Sequence, residues 1–162
     1  MNPGIRLADQ VKFVTGLAPI TPSASVPDYA SLKNYDRMTA VIMADNAEGV
    51  TGSAITLLQA SAVANTGEKA LTFSTMYANT DTGAADTLVA TAVTNSTFTT
   101  STTNNKNLLY VIDIPVSSLD VANSFDCVRV GTANAVNTTL SVLYILHPCR
   151  YGSPIATSAI TD

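Results

Sequence analysis

Three residues near the C-terminus carry side chains that could act as metal ligands or as a nucleophile with its base. Cys127 and Cys149 are the only cysteines of the chain, and His147 is its only histidine. A zinc site takes about four ligands, so this set is too small for one. On an extended strand His147 and Cys149 share a face with their Cβ atoms about 7 Å apart, too far for a direct nucleophile–base hydrogen bond. The spacing predicts neither a metal site nor a cysteine nucleophile, and we expect His147, which precedes Pro148, to be a strand-end residue.

Other arrangements of reactive residues are equally weak. The sequence has no G-x-S-x-G motif and no glycine-rich phosphate loop. A glycosidase needs two paired carboxylates, but Glu48 and Glu68 both fall in predicted turns. Asp113 is the one acidic residue inside an apolar strand, and we expect it to face outward on a half-exposed strand. The sequence therefore predicts a structural or binding protein, not an enzyme, with no catalytic residue, metal or cofactor.

Composition narrows the choice of partner. Charged residues make up only 12% of the 162 residues, and the net charge is −4. The lysines and arginines are scattered singly, which predicts binding neither to nucleic acid nor to an anionic membrane surface, because both require clustered cations. We find no pattern of a secretory signal and no apolar stretch of about 18 residues that would predict a transmembrane helix. So little charge also suggests that a partner covers much of the surface.

The elements that would position these residues are strands. Leu140, Val142, Tyr144 and Leu146 alternate with Ser141, Leu143, Ile145 and His147, which predicts a strand with one apolar face and one mixed face. This is the longest apolar run of the chain, so we expect a central strand. Residues 127–130 are predicted to form its hairpin partner across the polar turn at 132–138. That register does not place Cys127 opposite Cys149, so we expect no disulfide between them.

Further alternating segments bring the count to about eight strands. They lie at residues 36–44, 53–61, 69–77, 88–93, 97–100 and 108–114. The threonine-rich region 87–103 suits an exposed strand pair or an edge that faces another subunit. With no long helical pattern, the chain is predicted to be all-β, a single jelly-roll-like antiparallel β-sandwich with its body at residues 29–152 and a loose C-terminal tail at 153–162.

Residues 1–28 differ from the rest because they hold four of the seven prolines. Proline interrupts regular structure, yet the segment is too apolar to float free in water. We predict an extended N-terminal arm that lies on the body of the domain, on a sister subunit or on a different protein. Its candidate contact residues are Ile5, Leu7, Val11, Phe13, Leu17 and Ile20. The alternative is a first strand at residues 11–15 that packs on its own domain.

Several strand segments together resemble the capsid decoration, or cement, proteins of tailed bacteriophages. They are SLKNYDRMTAVI (31–42), AITLLQAS (54–61), KALTFSTMYANTDT (69–82), LLYVIDIPVSSLD (108–120), FDCVRVGTAN (125–134) and TTLSVLYILHPCRYG (138–152). The resemblance implies a β-sandwich that binds the outer surface of an icosahedral shell, with the major capsid protein and its own copies, as a homodimer or homotrimer, as partners. It implies a location on the capsid exterior of the virion, and in the host cytoplasm during assembly.

A second function from another class is a carbohydrate-binding β-sandwich module of a phage tail or head fibre. Such sites present aromatic platforms, and the candidates here are Tyr29, Tyr35, Tyr77 and Tyr151. The chain has no tryptophan, which favours the cement protein.

Overall fold

The computed structural model of the chain describes residue 4 and residues 6–22, 27–150 and 158–160. These residues contain eleven strands and three 3-10 helices, at Leu7–Asp9, Val116–Ser118 and Val121–Asn123. The strands are β1 (Lys12–Ile20), β2 (Ala30–Ser31), β3 (Tyr35–Asn46), β4 (Ala54–Ala60), β5 (Lys69–Ala70), β6 (Thr75–Asn79), β7 (Val89–Ala92), β8 (Thr97–Thr99), β9 (Lys106–Pro115), β10 (Cys127–Thr132) and β11 (Thr138–Cys149).

The strands form two antiparallel sheets that pack face to face. The six-stranded sheet has the order β1-β11-β3-β9-β6-β7, and the second sheet has the order β2-β10-β4-β5 with β8 also paired to β4. The predicted all-β sandwich is therefore confirmed. The three strands beyond the predicted eight are β1, which lies in the predicted arm, the two-residue strand β2, and β5, which shares the predicted segment 69–77 with β6.

The core lies between the sheets and follows the alternation of side chains along each long strand. The six-stranded sheet contributes Met38, Ala40, Ile42, Leu108, Tyr110, Ile112, Ile114, Leu140, Val142, Tyr144 and Leu146, and the second sheet contributes Ile55, Leu57, Val128 and Val130. Because side chains point alternately to opposite faces, the residues between them in the six-stranded sheet face away from the core.

The predicted hairpin of residues 127–130 with the last strand is wrong. β10 pairs with β4 and β2 in the second sheet, whereas β11 pairs with β1 and β3 in the six-stranded sheet. Both strands are apolar on one face, and each buries that face by lying opposite the other across the core instead of beside it. β11 is an interior strand, as its apolar run predicted.

A similar change of sheet divides the predicted strand at 69–77. Residues 69–70 pair with β4 as β5, and residues 75–79 pair with β9 as β6. The amide of Leu71 donates to the carbonyl of Leu57 at 2.9 Å, so the chain leaves one sheet only after this bond. Alternation alone predicts an extended segment, but it does not show that the segment crosses from one layer to the other.

The predicted arm at residues 1–28 needs correction over residues 12–20. These residues form β1, which pairs with β11 from Lys12 opposite Leu146 to Ile20 opposite Leu140. Residues 12–20 instead agree with the alternative, a first strand on the chain's own domain, because without β1 the apolar edge of β11 would be unpaired.

The predicted loose tail is also corrected at residue 159, because Ala159 is buried in the core and its carbonyl accepts from the amide of Ser31 at 2.7 Å.

Tyr144 connects β1, the two sheets and the segment after β1. Its ring is fully buried, and its hydroxyl accepts from the amide of Val130 in β10 at 3.0 Å and donates to the carbonyl of Asp28 at 3.1 Å. Gly16 of β1 lies over the ring, and a Cβ added there would be 2.4 Å from Cζ of Tyr144. Burial raises the pKa of Tyr144 well above its ordinary value.

We expect Tyr144→Phe to lower the free energy of unfolding by about 1–3 kcal/mol, because it leaves the buried amide of Val130 without this acceptor. Urea denaturation measures the change. Tyr35→Phe is the matched control, since Tyr35 is equally buried and its hydroxyl has no hydrogen-bond partner among the described residues. Removal of the Tyr35 hydroxyl should be neutral or slightly stabilising. Equal losses in the two variants would contradict the role given to Tyr144.

We expect Gly16→Ala to destabilise the protein by about 1–3 kcal/mol, because the new methyl group overlaps the Tyr144 ring and either β1 or the ring must move. Hydrogen exchange should accelerate at the β1–β11 ladder more than at the β3–β9 ladder. Thr15→Ala, at an exposed neighbouring position, serves as the control and should leave both ladders unchanged.

Candidate functional site: the outer face of the six-stranded sheet

The face of the six-stranded sheet that points away from the core carries many apolar side chains. We call this surface the outer face. Its residues are Phe13 and Thr15 of β1, Ser141, Leu143 and Ile145 of β11, Thr39, Val41 and Met43 of β3, Leu109 and Val111 of β9, Tyr77 of β6 and Ala90 of β7. All of them alternate with core residues, so the same strands that build the core also hold the outer face in position.

Strand register aligns these residues into rows across the sheet. The central row runs Thr15, Leu143, Val41, Val111, Tyr77 and Ala90, one residue from each of the six strands. Neighbouring rows add Phe13 and Ile145 on one side, and Met43 and Leu109 on the other. On the four interior strands of the sheet, the central row has one polar side-chain group, the hydroxyl of Tyr77.

The outer face is exposed to solvent. Phe13, Met43 and Tyr77 retain 43%, 48% and 44% of their accessible surface, and Val41, Val111, Leu143 and Ile145 are half-buried by their neighbours. Strand and row spacings give a band roughly 24 Å by 14 Å, on the order of 300 Å² in projection. An antiparallel sheet with one solvated face normally alternates apolar with polar residues. An exposed apolar patch of this size compares with the largest patch of a typical monomeric protein, which is often functional.

Polar groups lie at the two ends of the apolar band. At one end Arg37 forms an ion pair with Asp113, and the hydroxyl of Thr39 lies 3.2 Å from Oδ1 of Asp113 and 3.1 Å from Nε2 of His147. At the other end lie Asp45, Asn107 and Thr139, which are aligned by register. The band is thus apolar in its centre and polar at its rim, which is the usual composition of a protein–protein interface.

Asp113 faces outward on the exposed side of β9, as predicted. Its carboxylate is balanced by the guanidinium of Arg37, so this end of the outer face adds no net charge from the pair. His147 lies within β11, two residues before its end, and is half-buried. A shallow depression of about 380 Å³ lies beyond the band, between Pro19, Met43, Asp45 and Leu109.

A cluster of three side chains covers part of the outward surface of the second sheet. Glu68 Oε2 accepts from the Tyr29 hydroxyl at 2.5 Å and from Arg129 Nη2 at 2.5 Å, and the Arg129 guanidinium lies 5.1 Å from the centre of the Tyr29 ring. Burial, together with the hydrogen bond to Glu68, raises the pKa of Tyr29 above its ordinary value. This intramolecular cluster leaves Arg129 almost fully buried, in contrast to the open apolar band on the six-stranded sheet.

The three residues with reactive side chains lie on different sheets. Cys127 is buried in β10, packed with Tyr29 and Ala60, while His147 and Cys149 belong to β11. Cys127 is buried, and Cys149 is half-buried. The part of the chain that the structure describes has no group of three or more histidine, cysteine, aspartate or glutamate side chains placed to hold a metal ion.

The six residues predicted to make arm contacts have different environments. Val11 is buried, and Leu17 is half-buried and packs against the core. Leu7, Phe13 and Ile20 are exposed, and of these Phe13 belongs to the outer face. Ile5 lies outside the described residues. The predicted contact residues include no residue of the outer face other than Phe13. The apolar residues Leu143 and Ile145, on the mixed face of β11, were a visible signal for this surface.

A cavity of about 610 Å³ opens at one side of the sandwich near the start of β6. It is lined by Leu71, Phe73, Thr75, Val93 and Ser118, among others. The charged group on its wall is Asp113, which is already paired with Arg37. Apolar and hydroxyl side chains line the rest, so the cavity has no charge left to orient an ionic ligand.

Comparisons with known proteins add one solved structure. No protein-family model matches the chain, and no curated protein matches it. The crystal structure of the SPBc2 prophage-derived protein YomS is similar with a TM-score of 0.47 at 12% identity, over 88% of this chain and 98% of that protein. A similarity at this level does not show what the present chain binds. No helix in the described residues is long and apolar enough to cross a membrane.

We expect the double variant Met43→Ser with Tyr77→Ser to bind less of an apolar dye such as ANS, by about half or more, because the dye reports exposed apolar surface. Its thermal midpoint should stay close to that of the parent protein, since neither side chain reaches the core. The matched control is Val121→Ser with Val136→Ser, which removes two equally exposed apolar side chains outside the outer face. Equal dye loss in both pairs would show that the outer face is not a distinct patch.

Proposed function

We propose that the chain is a non-catalytic structural virion protein that binds the outer surface of a tailed-phage capsid and stabilises the shell across the boundaries between capsomers. The observation that carries this proposal is the exposed apolar outer face, with polar groups at its rim. The resemblance of the strand segments to capsid decoration proteins supports the same conclusion. The major capsid protein and further copies of the chain are the proposed partners, on the exterior of the virion.

The proposed mechanism is burial of apolar surface at many equivalent sites. Each Å² of apolar surface removed from water contributes about 25 cal/mol before the costs of association. A band on the order of 300 Å² gives a modest contact for each copy. Occupancy of many sites on one shell, and contacts with two capsomers at once, add avidity. Binding of this kind resists separation of the capsomers without any chemical reaction.

The alternative carbohydrate-binding function finds less support among the candidate aromatic residues. Tyr29 and Tyr35 are buried, and Tyr29 is engaged with Glu68 and Arg129. Tyr77 is exposed, but its neighbours in the central row are Val111 and Ala90 and not a second ring. Tyr151 lies outside the described residues. A sugar platform would therefore have to be built on Tyr77 alone among the described candidates.

The experiment combines the purified chain with shells assembled from the major capsid protein encoded in the same genome. We expect co-sedimentation that saturates at a fixed number of copies per shell, and a higher temperature of shell disruption. Met43→Glu places a charge in the apolar band and should weaken binding at least about tenfold. The free-energy cost of burying an unpaired carboxylate exceeds the about 1.4 kcal/mol that a tenfold change in affinity represents.

Val121→Glu is the matched control, because Val121 is an equally exposed valine on a 3-10 helix outside the outer face. It should bind the shells like the parent protein. Unchanged binding by Met43→Glu would exclude the outer face as the contact surface. Absence of binding by the parent protein, together with a hit on a glycan array, would replace the cement function with the carbohydrate-binding one.

Truncation separates the segment before β1 from β1 itself. We expect deletion of residues 1–10 to leave a folded protein with a thermal midpoint close to that of the full chain. Deletion of residues 1–28 should lower the midpoint strongly, because it removes β1 from β11 and uncovers Tyr144. Thermal unfolding followed by circular dichroism measures the midpoints of the two deletion variants. Loss of shell binding by the shorter deletion, which keeps β1, would assign contact to the segment before β1, whereas full binding by the shorter deletion would exclude that segment.

A further inference from the structure

The two edges of the six-stranded sheet differ in their protection against pairing with another chain. The β1 edge has Lys12, Pro19 and two irregularities in register, between Thr15 and Leu17 and between Leu17 and Ile20. Charges, prolines and bulges of this kind are the usual means by which natural edges avoid pairing. β7 has none of them: its register with β6 is continuous, and the segment 88–93 reads LVATAV without charge, proline or glycine.

Backbone groups of β7 point outward at regular intervals. The amide of Val93 donates to the carbonyl of Ser74 at 2.9 Å, so residue 93 is a hydrogen-bonded position of the β6–β7 pair. Because these positions alternate along an antiparallel ladder, residues 91 and 89 also face β6. The amides and carbonyls of Leu88, Ala90 and Ala92 therefore point away from the sheet.

Apolar side chains accompany this open edge. Val89 is 62% exposed and Leu88 is 38% exposed, although both belong to a continuous apolar run. Val89 lies on the core side of the sheet, beyond the area that the second sheet covers. An unpaired, uncharged edge next to exposed apolar side chains is a template for the addition of a further strand.

We propose that β7 pairs with β7 of a second copy of this chain, antiparallel and about a two-fold axis at Ala90. This register places the outward groups of Leu88 opposite those of Ala92 of the second copy. It also sets Val89 beside Thr91 of the second copy, so a β-branched pair covers the exposed valine. The nearest charge, Asp86, falls opposite Thr94 of the second copy, so no like charges meet.

The pairing extends the six-stranded sheet into a continuous sheet of twelve strands. A two-fold axis perpendicular to the sheet keeps the same face of both copies on the same side. The two outer faces then form one apolar surface of about twice the area, directed at a single partner. Formation of this dimer does not depend on which partner the outer face binds, so it is tested in the absence of any shell.

The first test is sedimentation velocity of the parent protein between about 1 and 300 µM, with Ala90→Pro and Ala90→Ser. We expect a monomer–dimer equilibrium for the parent protein. Ala90→Pro removes an outward amide without removing a bond to β6 and should weaken dimerisation at least about tenfold. Ala90→Ser retains the amide and should dimerise like the parent protein. Circular dichroism establishes that the proline variant is folded.

The second test is a cysteine crosslink, which does not require the proline variant to fold. Across the proposed axis the two Ala90 Cα atoms lie about 5.5 Å apart, within the range of a disulfide. Ala90→Cys in a Cys149→Ser background should form a covalent dimer under mild oxidation. Thr97→Cys, exposed on β8 in the second sheet, should not.

Three results would overturn the proposal. They are a parent protein that stays monomeric throughout the concentration range, a folded Ala90→Pro variant that dimerises as well as Ala90→Ser, and equal crosslinking of the two cysteine variants. A dimer that persists in Ala90→Pro but is lost in Met43→Glu would assign self-association to the outer face instead. Shell binding by a protein that is monomeric in solution would overturn β7 pairing and leave the proposed function intact.

Discussion

The contact between Tyr144 and Gly16 is the constraint on which the rest of the sandwich depends. The ring of Tyr144 fills the space beneath β1, and its hydroxyl crosses the core to the amide of Val130 in the opposite sheet. A residue larger than glycine at position 16 cannot pass over that ring. The same hydroxyl donates to the carbonyl of Asp28, so a single side chain fixes the first strand, both sheets and the connection that follows β1.

This arrangement gives the two surfaces of the molecule different properties. With β1 in place, β11 becomes an interior strand, and its alternate residues Leu143 and Ile145 join a wide apolar band instead of a narrow edge. The second sheet instead covers part of its outward surface with the Tyr29, Glu68 and Arg129 cluster. The six-stranded sheet therefore presents an apolar surface, which suits a protein held against a larger assembly, whereas an ion pair of the protein itself occupies part of the opposite surface.

Local alternation predicted most of the strands but few of their neighbours. The long strands β3, β9 and β11 lie where residues 36–44, 108–114 and 140–147 alternate, and their apolar sets are buried as expected. The predicted pairing of β10 with β11 was wrong because a polar turn has the same sequence pattern whether the chain reverses within one sheet or crosses to the other sheet. The sequence left residues 11–15 open between an arm and a first strand of the domain, since the choice depends on the edge of β11, which is distant in sequence.

By itself, the amino-acid sequence determined the fold class, the small number of reactive side chains, the outward position of Asp113 and the interior position of the last strand. Each follows from composition or from the two-residue period of a strand, which are local properties. Only the tertiary structure decided which sheet each strand joins, and therefore that Val41, Val111, Leu143 and Tyr77 align into one exposed row. The reason is physical: a surface is made by residues from separate strands, and register between distant strands is set by packing across the core and not by any one segment.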